Sequence, residues 1–223
     1  MTLGATGIML NGPEDSGMAE VEYVHIPPGA YFDTGYQAYT YDLWSARMRI
    51  RQLSSEGDEY FWGVGQNVVF GENRLVAFDF RRVGQSDAVA ADTDAVRHGG
   101  FSVELNTWLD VMMVLSGNRN EVYVDDVLKQ TLTAVQYDFT YEGSLYVGAC
   151  NFMNLRDGES SDAIGYQSDF DLGQFAIYSG ANPQLVRSYT PVRIGNEGAF
   201  YDSITKEVKK SIGSVPFGIP GQT

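Results

Sequence analysis

Residues 44–51 alternate strictly: Trp44, Ala46, Met48 and Ile50 are apolar, while Ser45, Arg47, Arg49 and Arg51 are polar. A period of two marks a strand with one face in a core and the other in water, and a helix would scramble it. Runs of strand character recur at 21–26, 31–35, 59–64, 74–82, 100–105, 144–149, 169–178, 185–192 and 199–202, bounded by clusters of Gly, Pro, Asn, Asp or Ser. The most apolar stretch, 107–115, is nearly continuous, which predicts a central strand covered on both sides, with a short buried helix as the alternative. Residues 121–129 predict a hairpin with Asp125-Asp126 at its tip, although glycine in the second position would suit a left-handed backbone better. No amphipathic helix of three turns, internal repeat or heptad is present. About a dozen short strands joined by turns predict an all-β fold, a two-sheet antiparallel sandwich. Residues 1–18, rich in glycine and small polar residues, predict an N-terminal arm, and 19–223 a single domain.

Composition narrows the partners. With 43% hydrophobic and 13% aromatic residues among 223, the chain is too apolar for disorder and long enough to bury a substantial core. Fifteen basic against 29 acidic residues give a net charge of −14, which repels a nucleic-acid backbone, so no nucleic-acid partner is expected. Arg47, Arg49 and Arg51, with Arg81 and Arg82 further on, form the only basic cluster and are expected to be a solvated charged face. The single cysteine, Cys150, excludes an intrachain disulfide and sits in an apolar stretch that suits a buried structural thiol. No basic region followed by an apolar run opens the chain, and no segment approaches the roughly 18 apolar residues of a membrane span, so the expectation is a soluble chain with no signal peptide and no membrane insertion.

Several phrases stand in an order that resembles the late strands of concanavalin A-like, laminin-G-like domains. They are residues 108–115, Val122-Tyr123-Val124-Asp125-Asp126-Val127-Leu128, Leu145-Tyr146-Val147-Gly148, and Phe170-Asp171-Leu172-Gly173-Gln174-Phe175-Ala176-Ile177-Tyr178. The second departs from the family pattern by placing Asp126 where glycine is usual. The segments Val24-His25-Ile26-Pro27-Pro28-Gly29-Ala30-Tyr31-Phe32-Asp33-Thr34-Gly35 and Ala199-Phe200-Tyr201-Asp202-Ser203-Ile204-Thr205-Lys206-Glu207-Val208, with Gly213, resemble the opening and closing phrases of such domains in phage structural proteins and gut-bacterial surface proteins. The resemblance implies a jelly roll, and a virion or extracellular surface setting.

The chemistry expected is recognition rather than catalysis. Glycoside hydrolases of this superfamily resemble one another in an acidic triplet alternating along one strand, and no such triplet is present. Glu20 with Glu22 and Asp169 with Asp171 come nearest, and solvated strand-edge carboxylates are the expectation for both. His25 and His98 are the only histidines, and no nucleophile elbow, phosphate loop or zinc spacing occurs. A glycan site asks for an aromatic platform beside amides and carboxylates. The long stretch 151–166, read as a loop, offers Asn151, Asn154, Arg156, Asp157 and Tyr166, with Trp62 as platform, whereas Trp44 and Trp108 are placed on core faces. The alternative is that Phe152, Met153 and Leu155 merely close one end of the sandwich. Asp87, Asp92 and Asp94, in a second long loop at 84–100, offer oxygens to Ca2+, but their spacing matches no defined calcium loop and no cofactor is assigned.

The leading expectation is a non-catalytic virion surface protein, such as a head-decoration, fibre or tail component, partnered by other virion or surface proteins in a homo-oligomer or larger assembly, with a host glycan as candidate ligand. The alternative is a carbohydrate-binding module of a bacterial surface protein. A third reading is a glycoside hydrolase using Asp169 and Asp171.

Overall fold

The computed structural model describes residues 17–37, 43–53, 59–70, 72–82, 88–93, 101–102, 104–115, 119–133, 144–154, 161–164 and 169–218. Among them there are nineteen strands and no helix. In chain order these are β1 (Met18–Glu20), β2 (Tyr23–Ile26), β3 (Phe32–Gln37), β4 (Trp44–Gln52), β5 (Glu59–Phe70), β6 (Glu72–Arg82), β7 (Ala88–Thr93), β8 (Phe101–Ser102), β9 (Trp108–Leu115) and β10 (Arg119–Val124). They continue with β11 (Val127–Thr133), β12 (Ser144–Val147), β13 (Cys150–Asn154), β14 (Ser161–Ile164), β15 (Phe170–Ser179), β16 (Gln184–Ile194), β17 (Glu197–Asp202), β18 (Glu207–Lys210) and β19 (Phe217–Gly218).

Two sheets form the all-β sandwich expected from the alternation, with the jelly-roll build that the resemblance implies. The larger, of 11 strands, runs β11-β10-β9-β4-β15-β16-β17-β18, with β1 on β16 and with β2 joining β15 to β19. The smaller, of 8 strands, runs β14-β13-β5-β6-β7-β8, with β12 bridging β3 and β5. Pairing is antiparallel throughout the described strands except where β13 runs parallel to β5.

Between the sheets lies one aromatic and aliphatic core. Trp44, Ala46, Met48 and Ile50 of β4 point into it, as alternation requires. Two β-bulges add what alternation alone would not. In β5 the register shifts between Tyr60 and Trp62, and Phe61 and Trp62 are both buried. Phe61 meets Phe170 edge-on at 5.2 Å, and Trp62 meets Trp44 at 5.7 Å. In β15 a shift between Leu172 and Gln174 changes the parity, so that Phe170 and Leu172, then Phe175 and Ile177, all face the core. Burying each such side chain contributes about 1.5–3 kcal/mol relative to exposure.

The stretch read as covered on both sides, β9, instead alternates. Leu109, Val111 and Met113 are core, while Trp108, Asp110, Met112 and Val114 are half-buried on the opposite, outer face. Trp108 therefore does not sit on the core face assigned to it from sequence.

Polar anchors tie the layers together. The Tyr189 hydroxyl of β16 donates to the Thr34 carbonyl of β3 at 2.7 Å, and burial, reinforced by the nearby Asp202 carboxylate, holds the phenol protonated well above its ordinary range. Asp202 is fully buried; it accepts from the Ser188 and Ile204 amides (3.1 and 3.0 Å) and from Thr205 Oγ1 (3.0 Å), and it faces Arg187 Nε at 3.6 Å. These bonds fix the turn between β17 and β18, where Lys206 takes φ 64°.

Candidate functional site

The outer face of the larger sheet carries most of the described polar chemistry. Alternation on β4 sends Ser45, Arg47, Arg49 and Arg51 outward, and the register sets their neighbours. Arg51 stands between Trp108 of β9 and Asp171 of β15, Arg49 between Asp110 and Gln174, Arg47 between Met112 and Ala176, and Ser45 between Val114 and Tyr178.

At one end of this face is a dense ionic cluster. Asp171 is 2% exposed; its Oδ2 accepts from Arg51 Nε (2.8 Å) and Nη2 (2.6 Å), and its Oδ1 from His25 Nδ1 (3.0 Å). His25 Nε2 lies 3.5 Å from Asp169 Oδ1. The Arg51 guanidinium also lies 5.1 Å from the Tyr23 ring centre and 5.0 Å from that of Trp108. Asp171 is thus not the solvated strand-edge carboxylate expected from sequence, because Arg51 and His25 engage both its oxygens.

The hydrogen bond to Asp171 raises the His25 pKa above 6.5, against the cost of desolvation, with the charges of Asp171 and Asp169 adding to the rise. A folded-state pKa above the unfolded one contributes stability that is fully present below about pH 6.5 and lost as pH rises through the folded value. Urea unfolding of the wild type and His25→Gln should therefore show a gap in stability that is widest near pH 6 and narrows as pH rises through the folded-state pKa. A gap independent of pH would show that His25 does not titrate in this way.

Beyond the cluster, across β9, β4, β15 and β16, an open groove of about 410 Å³ is lined by Arg47, Arg49, Asp110, Gln174, Tyr178 and Ser188, among others. Arg47 grips Asp110 in a two-pronged pair, Nε to Oδ1 at 2.8 Å and Nη2 to Oδ2 at 2.7 Å, with Asp126 at 3.5 Å. The Arg49 guanidinium lies 5.0 Å from the Trp108 ring centre, over the bulge at Gly173. Gln174 is exposed, Tyr178 half-buried, and Leu185 forms an apolar rim at 42% exposure. The groove offers guanidinium and amide donors, hydroxyls and an aromatic edge, an assortment suited to a hydroxyl-rich ligand.

Of the residues assigned to a glycan site from sequence, neither Trp62 nor Asn151 lines this groove. Trp62 is 1% exposed in the core against Trp44, so it presents no platform to a sugar. Asn151 is 2% exposed and donates through Nδ2 to the Ser144 carbonyl at 2.9 Å, a structural role. Asn154 ends β13 opposite Ser161, while Arg156, Asp157 and Tyr166 lie outside the described residues. Within the stretch read as a loop, residues 151–154 and 161–164 form the paired strands β13 and β14, from Asn151↔Ile164 to Asn154↔Ser161. Asp92 lies in β7 opposite Asp79, with Asp87 and Asp94 outside the described residues, and no cluster of three or more candidate metal ligands occurs among those described. Sequence reasoning took Arg49, with Arg47 and Arg51, for a solvated charged face and gave Gln174 and Tyr178 no place in a site. The available signal was a strand bearing three outward arginines in a strongly acidic chain.

No family model and no curated protein matches the chain. Among solved structures it resembles a Bacteroides ovatus protein described as a candidate carbohydrate binding protein, with TM-score 0.54 and 10% identity over 90% of this chain. The match spans 61% of that protein's length. It also resembles the CBM40 domain of Ruminococcus gnavus IT-sialidase bound to α2,3 sialyllactose, with TM-score 0.44 and 12% identity over 69% of this chain and 89% of that one. A mutant Trypanosoma rangeli sialidase with trans-sialidase activity aligns at TM-score 0.46 and 15% identity, over 72% of this chain and 27% of that one. At 10% identity the likeness to the Bacteroides ovatus protein is one of fold alone.

Proposed function

We propose that this chain is a non-catalytic carbohydrate-binding module that holds a glycan on the outer face of its larger sheet. The observation that carries the reading is the groove above Arg49, Gln174 and Tyr178, open to solvent and lined by donors, hydroxyls and aromatic side chains. Sugars present hydroxyl edges and weakly apolar ring faces, which such a lining matches. Support comes from the Bacteroides ovatus protein of like fold, itself described as a candidate carbohydrate binding protein. A non-catalytic role is favoured because Asp171, half of the carboxylate pair nearest a hydrolase pattern, is closed off by Arg51 and His25. Of the two settings expected from sequence, the fold likeness supports a carbohydrate-binding module; the virion setting has only the sequence phrases behind it.

A glycan array probed with the full chain, followed by calorimetry on the best ligand, tests the reading. Tyr178→Ala or Gln174→Ala should weaken binding about five- to tenfold, the equivalent of one lost contact; Gln174→Ala should leave the thermal midpoint unchanged, while Tyr178→Ala, whose ring is half-buried, should lower it modestly. A blank array, or affinity unmoved by both substitutions, would remove the groove from consideration.

A further inference from the structure

We infer that the groove selects sugars bearing a carboxylate, and that Arg49 is the residue that receives it. The inference rests on the carbohydrate-binding reading above and adds a ligand class to it. Of the three outward arginines of β4, two are already neutralised, Arg47 by Asp110 and Arg51 by Asp171. Arg49 has no carboxylate partner among the described residues, although the register places Asp110 directly opposite it. Both oxygens of Asp110 are turned to Arg47 instead. In a chain with 29 acidic residues against 15 basic ones, a guanidinium that faces a groove beside an aspartate pledged elsewhere is an uncommon arrangement.

Arg49 is also held in place. Its guanidinium carbon lies 5.0 Å from the Trp108 ring centre, a cation–π contact that restrains the planar group at the groove. The guanidinium fork matches the two oxygens of a carboxylate in a way a lysine would not. Gln174, opposite on β15 and exposed, supplies an amide for a neighbouring hydroxyl. The net charge of −14 opposes anions at long range, so any preference for a carboxylate must arise from this local contact and not from a diffuse basic surface.

Carboxylated sugars come as uronic acids or as sialic acids, and matched pairs separate the two sources. Calorimetry would compare pentagalacturonate with its methyl ester, and sialyllactose with lactose, on the full chain, Arg49→Gln, Arg49→Lys and Tyr178→Ala. The carboxylated member of one pair should bind about tenfold to a hundredfold tighter than its neutral partner, as expected for a hydrogen bond to a charged group. Arg49→Gln should close that gap and Arg49→Lys restore only part of it; the pair that shows the gap identifies the source. Equal affinity within both pairs, or a preference that survives Arg49→Gln, overturns the inference. If neutral glycans bind and depend on Tyr178, the carbohydrate-binding reading stands while the carboxylate preference falls; if no sugar binds, both fall.

Discussion

Replacing Arg51 by methionine is expected to cost about 3 kcal/mol of unfolding free energy, the low end of the range for breaking a buried ion pair. The loss comes less from the missing attraction than from what is left behind. Asp171 would keep a desolvated carboxylate at 2% exposure with only His25 to answer it, and Arg51 would no longer lie against Tyr23 and Trp108. The double variant Arg51→Met with Asp171→Leu should recover much of the loss, because it removes the orphaned charge together with its partner. Urea unfolding of wild type, single and double variants gives the comparison. A single variant within about 1 kcal/mol of wild type would mean that water or another cation reaches Asp171 and that the cluster is not closed.

A second large effect is expected at Gly148. Its φ is 89°, where side chains are disfavoured, and a Cβ there would stand 2.8 Å from Ile26 Cγ2 and 3.0 Å from the Ala30 carbonyl. Its amide donates to Phe61 O at 2.8 Å, which pins the bend between β12 and β13 against β5. Gly148→Ala should cost about 3 kcal/mol, roughly 1–2 from the backbone conformation and the remainder from the overlap. Gly195→Ala separates the two contributions, because Gly195 has φ 62° with nothing within 4 Å of its would-be Cβ. That variant should lose only about 1 kcal/mol. Equal losses in the two thermal melts would show that crowding at Gly148 contributes nothing.

What could be read in the sequence was local. The alternation of Trp44, Ala46, Met48 and Ile50 placed β4 and its core face directly, since a period of two admits one arrangement. The Asp125-Asp126 turn was likewise legible: both residues have positive φ, 50° and 61°, the pair that a two-residue hairpin demands. Lys206, at φ 64°, takes a left-handed backbone that favours glycine, so the chain keeps the turn and tolerates the strain. Where reading failed, two segments of the chain had to be known together. Asp171 looks like an edge carboxylate until the register with β4 and β2 delivers Arg51 and His25 to it. The short run Cys150–Asn154, with asparagine at two of its five positions, carries too little pattern to reveal a strand, and only its pairing with β5 and β14 makes it one. The candidate site was sought in a loop because loops often bear function. The groove lies instead on a sheet face assembled from β4, β9 and the β15–β16 pair, three stretches distant in sequence, which no single window of residues displays.

That assembly from distant strands also bears on how the protein comes to be folded at all. The His25–Asp171 and Tyr189–Thr34 bonds join residues 146 and 155 positions apart, and the Arg51–Asp171 bond spans 120. Each such contact returns its stabilisation only after a long loop has been closed, so the entropic cost falls early in folding and the gain arrives late. β4 is flanked by β9 and β15, and its place between them is not complete until the ribosome has released residues beyond Ser179. During synthesis the apolar face of β4, from Trp44 to Ile50, must therefore wait for its neighbours, and slow elongation with cool expression should favour the native chain over its aggregates.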